Sequence, residues 1–362
     1  MDKKHMMLLL TLMTLVILSA VYIAGGGQAY LRYQQNSLQR QEYCGGQAPV
    51  HICVHAPTAI FSAFYPSYLA TQYPLFTIDY SSSSPLTLVI SVSVTHFSQV
   101  QAQTVNATST SQSSTFVPPL QDQALHNLTT ERSDSLHIQV TDTRGHLYYI
   151  NDAPVTLHSR WLMQWVAANR LKVAAWVTPN DPAVIALVTR AANHLNEQQP
   201  PVPAGMIGYR SATTQQVIDQ VDAIYDTLRL DYHMRYLQAS VPYSGTGSDS
   251  AATQNVKLPA EVLLQRSGMC VELTILLAAA VEQIGLNAEI VIIPGHAFLG
   301  VAVTEGATHF EYWDGVDVNN NVAADSANVA ADSLYQKNLN QHTIIDVIPI
   351  SEARNAHVGP ML

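Results

Sequence analysis

Cys270, His296 and an acid at Asp314 or Asp317 are the residues of this chain whose types and order can do chemistry. Cys270 ends the segment Arg266-Ser267-Gly268-Met269-Cys270, at the mouth of an amphipathic run, and His296 follows 26 residues later in Pro294-Gly295-His296-Ala297-Phe298. A thiol at a helix N-terminus has its thiolate favoured by the helix dipole, and a neighbouring imidazolium favours it further. A Cys followed by a distant His and then an acid is the sequence form of an activated thiol nucleophile, its base and the base's orienter. Taken singly, a helical Cys is usually a small hydrophobe and a His near a turn is usually structural. The ordered trio in its Gly-x-Cys and Pro-Gly-His-Ala contexts is what points to a thiol site. Metal binding by the same three residues is the weaker option, because no second close-spaced Cys or His pair completes a zinc set.

The elements that must position them are readable. Leu273, Leu276, Leu277, Ala280, Val281 and Ile284 recur at helical spacing, and Gly285 follows as a C-cap. A shorter helix begins at Leu258-Pro259, with proline in its first turn, and ends near Gly268. Ala288 to Ile293 is a β-branched run, Pro294-Gly295 a turn, and His296 to Val303 alternates as a strand. The order is therefore Cys on a helix, then His and acid on strands.

The segment from about Pro259 to Val318 resembles the transglutaminase-like superfamily, relatives of the papain-like cysteine proteases. The resemblance rests on Arg266-Ser267-Gly268-Met269-Cys270 before a Leu/Ala-rich helix, Ile284-Gly285-Leu286, Gly295-His296-Ala297-Phe298 and Tyr312-Trp313-Asp314. It is fainter from about Trp176 and absent from the N-terminal half. It implies Cys270 as nucleophile, His296 as base and an Asp as its orienter. This chain departs from the pattern at Phe298, where many members carry Trp, and at the acid, where the usual Asp-x-Thr is replaced by Asp314-Gly315-Val316-Asp317.

Hairpin geometry chooses between the acids. If Thr304-Glu305-Gly306 is a three-residue loop, Val303 pairs with Ala307 and His296 lies opposite Asp314. Asp317 and Glu311 then point to the other face. A two-residue loop would favour Glu311 or Asp317 instead. The glycine in third place selects Asp314. An oxyanion donor is expected from the Cys270 backbone amide, with Gln265 as a nearby side-chain candidate.

Only 12% of the 362 residues are charged and the formal net charge is −10, with no basic patch, so nucleic acid is not an expected partner. Met6 to Ala24 is an uncharged run of 19 residues behind Lys3 and Lys4, long enough to span a bilayer with the rest of the chain outside the cytoplasm. It is read as an uncleaved anchor, the alternative being cleavage near Gly27-Gln28-Ala29 and secretion. Cys44 and Cys53 enclose a short Gly/Pro loop that a disulfide can close, leaving Cys270 free. His51, Cys53 and His55 share a strand face, a weak suggestion of metal with no further ligand in reach. Asn106-Ala107-Thr108 and Asn127-Leu128-Thr129 are glycosylation sequons.

The expected organisation is an anchor or signal segment (1–29), a juxtamembrane stalk (30–48), an immunoglobulin-like β-sandwich (49–158), an amphipathic connector (159–180), a transglutaminase-like domain (181–350) and a tail (351–362). Short β-rich runs punctuated by Ser-Ser-Ser-Ser-Pro and Gly turns carry the sandwich reading. Asp181-Pro182 opens a helix to about Leu195, and Thr214 to Leu230 forms another. Asn321 to Ala327 is repeated by Asn328 to Leu334, which reads as an exposed insertion or short helix. The fold class is α+β. The expected function is thiol-based acyl transfer on amide bonds of a protein or peptide (peptidase, deamidase or cross-linking), without a cofactor. The alternative is a non-catalytic module of the same type that binds peptide or cell-envelope material.

Overall fold

A computed structural model describes residues 40–197, 205–245, 252–306 and 309–361. The Met6–Ala24 run lies outside them, and among the described residues no helix is long and apolar enough to cross a membrane. The architecture is mixed α+β.

The first half is strand-rich. In chain order it contains β1 (Arg40–Gly45), β2 (Val50–Pro57), β3 (Ala59–Phe61), a short helix α1 (Tyr65–Thr71), β4 (Phe76–Ser82), β5 (Leu86–Val94) and β6 (Gln101–Ala107). Then come β7 (Gln112–Phe116), a one-turn α2 (Ala124–Asn127), β8 (Arg132–Asp142) and β9 (Leu147–His158). One sheet has the order β1-β2-β4-β7 and the other β3-β9-β8-β5-β6. Burial alternates along the longer strands, as the period of two requires. In β5, Leu88, Ile90, Val92 and Val94 are fully buried while the residues between them are partly exposed. The end of the segment read as a stalk is β1, which pairs with β2 so that Cys44 faces Cys53. The two are joined by a disulfide, and Cys270 is the free cysteine.

Residues 159–180 are not an amphipathic helix. They form β10 (Leu162–Gln164) and a 3₁₀ segment, Ala167–Trp176. Met163, Trp165, Val173, Ala174 and Trp176 are all fully buried, so the segment is enclosed on several sides and has no solvent face to organise a helical stripe. Lys172 is buried with it. Its ammonium bonds the Ser67 hydroxyl from α1 and lies 5.5 Å from the Tyr68 ring centroid, and among the described residues no carboxylate pairs with it. Burial pushes its pKa down from 10.5 to about 8.

Lys172→Met is therefore expected to stabilise the protein at pH 7, by at most about 3 kcal/mol for a shift of this size. The folded pKa lies below the unfolded one, so the cost of the charge is full below about pH 8 and vanishes above 10.5. Urea denaturation of both proteins at the two ends of that window checks this. Equal stability at pH 7 would show that the buried ammonium costs the fold nothing.

The second half builds α3 (Pro182–Glu197), α4 (Thr214–Leu230), β11 (Arg235–Tyr236), β12 (Thr253–Asn255), α5 (Pro259–Gln265), β13 (Ser267–Gly268) and α6 (Cys270–Gln283). There follow β14 (Ala288–Ile293), β15 (His296–Ala302), β16 (Phe310–Trp313), α7 (Ala324–Asn340), β17 (Asp346–Pro349) and α8 (Ile350–Asn355). Thr213 caps α4, its hydroxyl accepting from Gln216 N–H while the Gln216 side chain accepts from Thr213 N–H. Helix α6 is buried from Cys270 to Val281 and packs on an antiparallel sheet of order β16-β15-β14-β17. A helix apolar all round belongs in the core, and here that makes it a fixed post for its first residue.

Of the two readings of the duplicated segment, an exposed insertion or a short helix, the helical one holds. The segment forms most of α7, where Asn328 Nδ2 donates to Tyr312 O at 3.0 Å and Asp332 accepts from Tyr312 N–H at 3.1 Å. The tail also docks. Arg354 makes a two-pronged pair with Glu282 at 2.9 and 2.8 Å and donates to the Ala174 and Val177 carbonyls, tying the far end of α6 to the 3₁₀ segment.

Candidate active site

Cys270 is the first residue of α6, and the chain enters it through an extended Met269. Buried Glu272 fixes that entry: one carboxylate oxygen accepts from Met269 N–H at 2.9 Å and the other from Lys257 N–H at 2.8 Å, with the Lys257 ammonium 3.5 Å away. An acid in the first turn suits the helix dipole and occupies amides that have no intrahelical acceptor. Glu272 was not singled out from the sequence, although an acid two residues past Cys270 at the third helical position was the available signal. The Cys270 thiol is buried and lies 3.7 Å from the Ala239 carbonyl oxygen.

His296 opens β15, just after Gly295, whose φ of +74° suits the turn to glycine. The β15–β16 pairing differs from expectation. Leu299 lies opposite Trp313 and Val303 N–H reaches the His309 carbonyl, so the connection runs from 304 to 308 and is two residues longer than a Thr304-Glu305-Gly306 loop. An even shift preserves the side on which each residue points. Asp314 therefore stays on the His296 face, displaced along it rather than directly opposite.

The contact that results is short: His296 Nε2 lies 2.6 Å from Asp314 Oδ2. Asp314 Oδ1 accepts from Val316 N–H at 3.0 Å, capping the 3₁₀ turn Gly315–Asn320. Both carboxylate oxygens are thus committed. With Nε2 on the acid, Nδ1 is the ring nitrogen left for the thiol. Burial works against a charged ring, but the ring's hydrogen bonds to Asp314 and Cys270, together with their charges, outweigh it and push the His296 pKa up to about 10. The imidazolium is the favoured form at neutral pH.

Asp317 lies in the 3₁₀ turn rather than on a strand, and its carboxyl is raised by burial and by the neighbouring Asp314 charge. Glu311 faces α7 and accepts from Asn328 at 3.1 Å. Gln265 is exposed on α5, where its carbonyl accepts from Lys257 Nζ at 3.1 Å; it does not join the Cys270 cluster. The Phe298 departure is filled by packing: the ring is fully buried, 6.2 Å from the His296 centroid and edge-on to Tyr312.

Three further residues shape the site, of which the sequence reading had only Trp313, as part of Tyr312-Trp313-Asp314. Trp313, directly before Asp314, donates its indole N–H to Asp222 on α4 at 2.8 Å, and burial raises that carboxyl to about 7. Tyr236 lies against the thiol and Asp314, and burial and both of their charges raise its phenol, opposed by a hydrogen bond from the Ala239 amide. Its side chain arrives because β11 pairs in parallel with β13, setting Tyr236 beside Gly268. Such long-range pairing leaves no local pattern in the sequence.

Among the described residues, the one group that brings metal-ligand atoms together is Glu42, Cys44 and Cys53, where both sulfurs are already bonded to each other. His55 instead pairs with Asp79 at 2.9 Å.

No curated protein and no solved structure matches the chain. Residues 187–340 match the model of the transglutaminase-like superfamily, a span that encloses α4, α6, the β14–β16 strands and α7. This chain carries a transglutaminase-like superfamily domain over residues 187–340.

Proposed function

We propose that the protein is a membrane-anchored, extracytoplasmic enzyme of thiol-based acyl transfer, acting on amide bonds of a protein or peptide. The observation that carries the reading is His296 Nε2 held at 2.6 Å by Asp314, with the Cys270 sulfur near enough to the same ring to help raise its pKa. The Cys270 thiolate attacks the amide carbonyl carbon, a C–S bond forms, and the carbonyl π pair moves onto oxygen. Collapse of that intermediate breaks the C–N bond, and the His296 imidazolium protonates the departing amine. The neutral imidazole then takes a proton from water or a second amine, which attacks the thioester and frees Cys270. Water yields peptidase or deamidase chemistry; an amine yields a cross-link.

The anchor reading rests on Lys3, Lys4 and the 19-residue apolar run. The disulfide between Cys44 and Cys53 favours an oxidising compartment. The two sheets of the first half, with their alternating burial, support an immunoglobulin-like sandwich as spacer or packing partner.

A second reading, a non-catalytic module that binds peptide or cell-envelope material, is favoured by one observation: Cys270 is only 1% exposed. A small membrane-impermeant methanethiosulfonate separates the readings on the full chain. Cys270 is the free thiol, so its mass shift is unambiguous. Modification on intact cells is the expected result. Modification only after lysis would overturn the orientation. A thiol inert in both would overturn the enzyme.

A further inference from the structure

Beside the nucleophile lies an open trough of about 630 Å³ that the chemical steps above leave unused. One wall is the segment 241–245. The other is 342–345, which joins α7 to β17, and Pro294-Gly295 lies along both. Gly295 directly precedes His296. The first wall starts two residues past Ala239, whose carbonyl oxygen lies 3.7 Å from Cys270 Sγ. Two residues of chain span at most about 7 Å, so the trough opens next to both reacting groups.

Its walls are fixed. Val241 N–H donates to the Gly295 carbonyl at 3.2 Å. Tyr243 is buried, stacks on Trp165 with 5.7 Å between centroids, and donates its hydroxyl to Asp346 Oδ2 at 3.2 Å. On the opposite wall Ile345 N–H donates to the Ile292 carbonyl at 2.8 Å, and the Thr343 hydroxyl donates to Asn338 Oδ1 at 2.7 Å. The walls meet at Gly245, where a Cβ would come within 2.9 Å of Ile345 Cγ2.

The surface they leave is mostly carbon. Pro242 and Pro294 are exposed and have no N–H to offer, and Ile344 and Ile345 are half-buried. Among the described residues that line the trough, only His342, exposed, has a side chain that can be charged near neutral pH. A preformed, largely uncharged trough of this size selects an occupant by the apolar area it buries.

We propose that this trough is the substrate subsite beside the scissile amide and takes an apolar side chain, with Ile344 and Pro242 as specificity-determining residues on its two walls. This rests on the acyl-transfer reading above. A side chain seated there is held next to the sulfur, so its binding energy can serve to orient the amide for attack.

Alkyl methanethiosulfonates test it on the full chain without a known substrate. The Cys270 thiolate attacks the alkyl-bearing sulfur, an S–S bond forms and methanesulfinate leaves, so methyl and pentyl reagents react at one atom and differ only in the tail. The pentyl-to-methyl rate ratio, divided by the same ratio for glutathione, is expected to be about 10 or more, the low end of what one added methylene contributes in an apolar pocket. Ile344→Asp and, on the opposite wall, Pro242→Asp should each bring the ratio down to that of glutathione. Ile344→Leu, which keeps the wall apolar, should preserve it. A wild-type ratio no higher than that of glutathione would overturn the proposal, as would a ratio that survives both aspartates. p-Nitrophenyl acetate tests the reading beneath it: the thiolate adds, p-nitrophenolate leaves and acetyl-Cys270 remains. A sulfur that prefers the longer tail but is never acetylated would keep the apolar trough, sink acyl transfer, and end the trough's role as a subsite.

Discussion

Asp314→Asn should slow acetylation of Cys270 by p-nitrophenyl acetate by on the order of 10⁴, the loss seen when the acid of an equivalent Ser-His-Asp set becomes an amide. The structure explains why the fold survives and the chemistry does not. Asp314 uses one oxygen to accept from Val316 N–H and the other to hold His296 Nε2. An asparagine keeps the first bond with its carbonyl and must then turn its N–H₂ towards His296. Nε2 becomes an acceptor, the ring proton moves to Nδ1, and the nitrogen facing the sulfur can no longer take a proton. The imidazolium also loses the carboxylate that raises its pKa, so the thiolate–imidazolium pair should disappear at a lower pH than in the wild type. Asp317→Asn should do little, since Asp317 makes its hydrogen bond with Asn320 in the 3₁₀ turn. A larger effect at Asp317 would move the orienting role there.

His296→Ala removes base and counter-ion together, and losses on the order of 10⁶ are usual for such a residue. It should also change the pH dependence of stability. The folded pKa of His296 is raised from 6.5 to about 10, so the bound proton contributes stability that is complete below about 6.5 and is lost as pH rises through about 10. The wild type should therefore exceed the alanine variant most at mildly acidic pH, with the gap closing towards pH 10. Urea unfolding of both proteins across this range measures it. A gap independent of pH would mean that the ring matters for packing rather than for charge.

The helices of the second half were legible because their signals are local. Asp181-Pro182 announces α3, and Gly285, at φ +81°, closes α6 where its apolar run stops. The His296–Asp314 pair was legible for a subtler reason. The expected loop was two residues too short, but only parity decides which face a strand residue takes. What escaped was whatever depends on chain segments far apart. Glu272 and Tyr236 reach the site through a capping carboxylate and a two-residue parallel bridge. The 159–180 connector misled because Trp161, Trp165 and Leu171 mimic a helical stripe, whereas burial on several sides removes the need for one.

The duplicated Asn-Val-Ala-Ala-Asp-Ser segment in α7 lets a helix grow without being rebuilt. Seven residues turn an α-helix through almost two full turns, missing closure by about 20° per copy, while advancing it by about 10.5 Å. A second copy therefore presents the same face, slid along its own axis. Asn328 and Asp332 of the later copy grip the Tyr312 backbone, while Asn321 of the earlier one, left just outside the helix, accepts from Arg229 on α4 at 2.9 Å. One sequence thus serves two neighbours at two heights, and a duplication in steps of seven can lengthen such an element while the strand beneath it keeps its place.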